Sequence, residues 1–91
     1  MALEIRHDAA GQRFVAEVDG AQCVLEYGLA GQVMTITHTL VPAVVGGRGI
    51  AGELVRHALA AARGQGWKVV PACSYAAAWM ERHPEFDDLR A

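Results

Sequence analysis

The chain has 91 residues, enough for one domain over 1–91 and too few for two. An apolar share of 53% against 20% charged residues excludes a disordered chain, and no apolar run approaches the ~18 residues of a membrane span. A net charge of −2 with scattered Lys and Arg offers no basic face to a nucleic-acid backbone.

The N-terminus carries Glu4, Arg6, His7 and Asp8 where a signal peptide needs its apolar stretch, so a cytoplasmic chain without a membrane partner is expected. Cys23 and Cys73 are too few for a disulfide framework and lack zinc-knuckle spacing, and both read as free thiols. From Arg13 the sequence RFVAEV alternates Phe14, Ala16 and Val18 against Arg13, Val15 and Glu17, and Asp19-Gly20 is a two-residue hairpin signal. A second strand, Ala21 to Tyr27, sets Cys23, Leu25 and Tyr27 on one face. Gly28 to Gln32 turns into a third strand, Val33 to Val41, whose β-branched, largely uncharged faces suit an inner strand. Pro42 cannot donate to a ladder, so pairing stops or splays there.

Past the glycines the period changes from two to 3.6. Ile50, Ala51, Leu54, Val55, Ala58, Leu59 and Ala62 make one apolar stripe, a helix of about four turns ended by Gly64 and Gly66. Trp67 to Val70 is a short buried strand stopped by Pro71, Ser74 to Arg82 a second helix, and HPEFDDL a closing segment that tucks Phe86 on the core. The expected fold is α+β: an antiparallel three-stranded meander followed by helix, strand, helix.

The stretch VVGGRGIAGELV contains GRGIAG, which satisfies GxGxxG. A dinucleotide turn follows the first strand of a parallel sheet and needs an acidic residue about 20 positions later; here the glycines follow a meander, and Trp67-Lys68-Val69-Val70 stands downstream. The Lys-Ser/Thr of a P-loop is missing as well. What remains is a strand running through glycines into a helix, which presents unpaired N–H groups at the positive end of the helix dipole with Arg48 as an added cation. That suits a diphosphate; alternatively Gly46, Gly47, Gly49 and Gly52 merely permit a tight turn and close packing.

HTLVP, GGRGIAGELV, WKVVPAC and ERHPEF, in this order, resemble the GNAT N-acetyltransferases, and more narrowly the small stand-alone YjdJ-type branch, over about Val33 to Leu89. The resemblance implies that acetyl-CoA is the cosubstrate, its pyrophosphate cradled by a Q/R-x-x-G-x-G/A loop that falls on Gly46, Gly47, Arg48, Gly49, Ile50 and Ala51. Gly46 stands where the family has Arg or Gln. Leu40 to Val45, with Val41 and Val44, resembles the splayed strand whose backbone pairs with the pantetheine arm. The acceptor is then an amine, on a small molecule or a protein, and an exposed site leaves room for completion by a second copy of the chain.

Acetyl transfer to an amine needs a neutral amine, an oxyanion donor and a way to discharge the thiolate. Cys73, between a strand end and a helix N-terminus, is a candidate nucleophile, proton donor or lining residue, and the YjdJ-type resemblance places a Cys in this PxC segment. His38 shares a strand face with Met34, Ile36 and Leu40 and reads as a proton relay or a core histidine. Tyr75 protonates the leaving thiolate or packs. Many GNAT enzymes carry a tyrosine roughly where Trp79 and Met80 stand here. Cys23 reads as structural, His7 and His57 as solvent-facing, and a metal site is not expected. The rival readings are an acyl-CoA-binding or protein-interaction module without catalysis, and a ligand-free structural partner subunit.

Overall fold

A computed structural model describes residues 3–91. Its five-stranded sheet runs β1 (Arg6–Asp8), β2 (Arg13–Val18), β3 (Ala21–Ala30), β4 (Val33–Leu40) and β5 (Lys68–Pro71), in that spatial order. The first four strands form an antiparallel meander and β5 joins β4 in parallel. The expected three-stranded meander therefore gains an edge strand, β1, which at three residues is too short for alternation to reveal. The parallel β5 is the product of a crossover through the helix α1 (Ile50–Gln65), as parallel neighbours require. A second helix, α2 (Ser74–Glu81), and a closing 3-10 segment, Pro84–Leu89, complete the chain. No helix among the described residues is long and apolar enough to cross a membrane.

The hairpin turn forms where Asp-Gly predicts it, with both residues at positive φ (50° and 80°), the pattern of a tight turn matched to strand twist. One apolar cluster joins the inner sheet face (Phe14, Ala16, Cys23, Leu25, Tyr27, Met34, Ile36) to Leu54, Val55, Ala58 and Leu59 of α1, to Ala76, Trp79 and Met80 of α2, and to Phe86 and Leu89. Val15 and Val24, also buried, pair on the other face. α1 ends on Gly66, left-handed at φ 76°, whose amide reaches back to the carbonyls of Ala62 and Arg63; Gly64 lies inside the helix rather than terminating it.

Two features of the sheet shape the site. Tyr27 pairs with Ile36 but Glu26 pairs with His38, so Thr37 is an extra residue, a β-bulge whose hydroxyl donates to the Glu26 carbonyl. Beyond it the alternation inverts. His38 lies opposite Glu26 and is exposed, Leu40 is 51% exposed, and Thr39, opposite buried Leu25, takes the inner face. The placing of His38 on one face with Met34, Ile36 and Leu40 is thus corrected. The second feature is the parting of β4 from β5: their pairing ends at Ile36 and Pro71, whereas β4 stays bonded to β3 as far as Leu40, so Thr37 to Leu40 have a free edge.

Candidate active site

The second helix begins at that parting, its N-cap Cys73 bonded to Ile36, and the first follows β4 through a turn. After β4, Pro42 stops the ladder and Ala43–Val45 form a 3-10 turn, so the expectation of a splayed strand from Leu40 to Val45 holds only at its first residue. Val41 packs partly against the core, while Val44 points into solvent at 76% exposure. The amide of Gly46 closes the turn on the Ala43 carbonyl at 3.1 Å and is not free for a ligand, a correction to its place in the expected cradle. Its φ of −66° suits any residue.

The chain then turns sharply. Gly47 and Gly49 adopt φ of 78° and 77°, a conformation costing L side chains about 1–2 kcal/mol, and Gly49 becomes the N-cap of α1. Glu53 makes the first intrahelical bond, to the Gly49 carbonyl at 3.2 Å. The amides of Gly47, Arg48, Gly49, Ile50, Ala51 and Gly52 have no protein acceptor among the described residues. They form a run of donors at the positive end of a 16-residue helix, exposed over Gly47 to Gly49 and half-buried at Ala51 and Gly52, the arrangement that binds phosphate oxygens. A diphosphate fits this run, because the two left-handed glycines carry no Cβ into the space before it. Arg48 bridges to Asp19 at the β2–β3 turn (2.7 Å), with both side chains about half exposed.

Cys73 is the N-cap of α2 and sits at the parting itself: its amide donates to the Ile36 carbonyl (2.9 Å) and its Sγ lies 3.7 Å from Thr39 Oγ1. Burial opposes ionisation of the thiol. The amide of Ala76, the Thr39 hydroxyl and the amides of Tyr75 and Thr39, all turned toward the sulfur, outweigh it and hold the pKa below the ordinary value of 9.0. The amides of α2 do this without closing a formal capping bond. Thr39 escapes the sequence pattern because only the bulge turns it inward. Cys23, fully buried, is pushed the other way.

Tyr75, 37% exposed, carries its hydroxyl over Gly52 on α1: a Cβ there would lie 3.4 Å from it and 3.1 Å from Trp79 Nε1. Trp79 is held between elements, its ring stacked on His83 (3.6 Å) and covered by the Arg56 guanidinium (5.2 Å). The structure therefore sets Tyr75 and Trp79 of α2 against the first turn of α1 at Gly52, and Thr39 of β4 beside Cys73 at the start of α2. His38 lies on the opposite sheet face.

A family model for GCN5-related N-acetyl-transferases matches residues 13–89, and the chain belongs to that family. The fold is similar to the NMR solution structure of a GCN5-like candidate N-acetyltransferase from Staphylococcus aureus, at TM-score 0.77 and 24% identity over 97% of this chain and 87% of that one. Among curated proteins none matches.

Proposed function

We infer that this chain is a cytoplasmic, acetyl-CoA-dependent N-acetyltransferase acting on an amine. The observation that carries the reading is the run of unpaired amides from Gly47 to Gly52 at the start of α1, in a chain whose β4 also keeps a free edge from Thr37 to Leu40. In this reading the amides of Gly47 to Ala51 hold the diphosphate, the Thr37 to Leu40 edge accompanies the pantetheine arm, and the cosubstrate, when bound, supplies an activated acetyl thioester. Thr39 and the α2 amides stabilise negative charge on Cys73, so at neutral pH this thiol ionises more readily than an ordinary cysteine and is suited to accept a proton from the incoming amine or to attack an acyl group. His38, exposed opposite Glu26, takes no part.

The acceptor is an amine on a small molecule or a protein, since Val44 and Gly47 to Gly49 lie open to solvent. A second reading, an acyl-CoA-binding module without turnover, is favoured by one observation: Trp79, buried near the position of the family's tyrosine, has no acidic proton to give. Two measurements test these readings. Acetyl-CoA or CoA at 100 times its Kd adds about 2.7 kcal/mol to unfolding and raises the melting point, whereas NAD does not. Thiol release from acetyl-CoA with a panel of amines then separates enzyme from module, and a fall in that rate in Cys73→Ala with ligand-induced stabilisation intact assigns the thiol to the chemistry. An unchanged rate removes Cys73 from it. No stabilisation by any CoA removes both readings.

A further inference from the structure

We propose that Trp79 Nε1–H and the Tyr75 hydroxyl reach across from α2 to donate to the diphosphate held at the start of α1, so that the ligand is gripped by both helices. The inference rests on the proposed acetyl-CoA site and extends it to side chains. Trp79 is 4% exposed, yet its indole N–H has no hydrogen-bond partner among the described residues. No buried side-chain nitrogen or oxygen among them is sealed without a partner, so this N–H opens to the surface at one point. Burial of so large a ring ordinarily comes with a partner for its N–H, and none is supplied by the described residues.

The point where it opens is fixed by Gly52. Trp79 Nε1 and the Tyr75 hydroxyl are the atoms nearest to the space its missing side chain leaves, 3.1 and 3.4 Å from where a Cβ would stand. Gly52 is in the first turn of α1, and Cα–Cβ directions on a helix tilt toward its N-terminus, so this space opens toward the unpaired amides of Gly49 to Gly52. Two neutral donors thus converge on a row of amide donors at the positive helix end, and the common recipient they suit is an anionic oxygen. The indole is held in this attitude by His83 on one element and Arg56 on another, and His83 Nδ1 is itself fixed at 2.7 Å on the Trp79 carbonyl. Gly52 reads as the residue that keeps the notch open, since any side chain there presses on the indole nitrogen.

The test uses the whole chain with ADP, adenosine and pantetheine as separate probes, observed through the indole N–H resonances of Trp79 and Trp67. The Trp79 resonance should move with ADP and with CoA, and stay in place with adenosine and pantetheine; Trp67 serves as the internal reference. Tyr75→Phe and Gly52→Ala should each weaken ADP and CoA binding by about tenfold, the effect of one hydrogen bond to a charged group, with pantetheine binding unaltered. Three results overturn the proposal while leaving the acetyl-CoA site standing. These are loop amides that shift under ADP with a stationary Trp79 indole, a Trp79 shift reproduced by adenosine, and variants that bind ADP as the wild type does. If CoA moves neither the loop amides nor Trp79, the acetyl-CoA site and this extension fail together.

Discussion

At Cys73 opposing influences act on one sulfur: burial against ionisation, and amides of α2 and β4 with the Thr39 hydroxyl in favour of it. The balance predicts that Cys73 is alkylated well before Cys23 in the folded protein, and that Thr39→Val raises the Cys73 pKa. Rate against pH for the two thiols, resolved by mass spectrometry, checks both points. Equal rates for the two cysteines would contradict them. Arg48 presents a second local competition. Its guanidinium is occupied by Asp19, a carboxylate that also brings negative charge toward the cradle. Half-exposed pairs of this kind contribute at most about 1 kcal/mol, so Asp19→Asn should tighten CoA binding by up to about fivefold, measured by calorimetry at low salt.

At the scale of elements, glycines with identical side chains carry different duties. Gly66 must be left-handed, so Gly66→Ala costs about 1 kcal/mol in urea unfolding. Gly64, inside α1 with open space around its Cα, has no such need, and Gly64→Ala gains up to about 1 kcal/mol through helix propensity. From sequence the two look interchangeable, because composition marks a helix end without saying which glycine takes positive φ. The Asp19-Gly20 turn and the α1 stripe were legible for the opposite reason: a two-residue hairpin and a 3.6 period each leave one arrangement. The bulge at Thr37 was not legible. Alternation assumes one residue per step, and one extra residue sent His38 outward and Thr39 inward, exchanging which of them approaches Cys73. The family resemblance implied a splayed strand as far as Val45, yet Ala43–Val45 curl into a 3-10 turn that buries Val45.

Across the whole molecule, the C-terminal segment is tied to the rest by charge as well as by Phe86 and Leu89. Arg63 of α1 bonds the Asp88 carboxylate at 2.6 Å, and Lys68 of β5 bonds the Asp88 carbonyl at 2.7 Å. The Arg63 bond holds Asp88 below the ordinary value of 3.8, and the Gly11 amide followed by Arg13 does the same for Asp8. A carboxyl whose folded pKa is depressed stabilises the fold above its unfolded value, and that contribution is lost as pH falls through the folded one. Stability should therefore decline as pH drops through and below 3.8, and Asp88→Asn should be less stable at neutral pH with a shallower acid decline, read from melting points across pH. A mutant profile parallel to the wild type would remove Asp88 from the acid response.

Two helix starts and one freed strand edge carry the account, and its central claim concerns the amides at the start of α1. Hydrogen exchange of the individual amides from Gly47 to Gly52, with and without saturating acetyl-CoA, tests it directly. Exchange at these positions should be fast in the free protein and strongly slowed on binding, with Gly46, already bonded to Ala43, nearly indifferent. Stabilisation by acetyl-CoA with exchange at Gly47 to Gly52 unchanged would contradict the account.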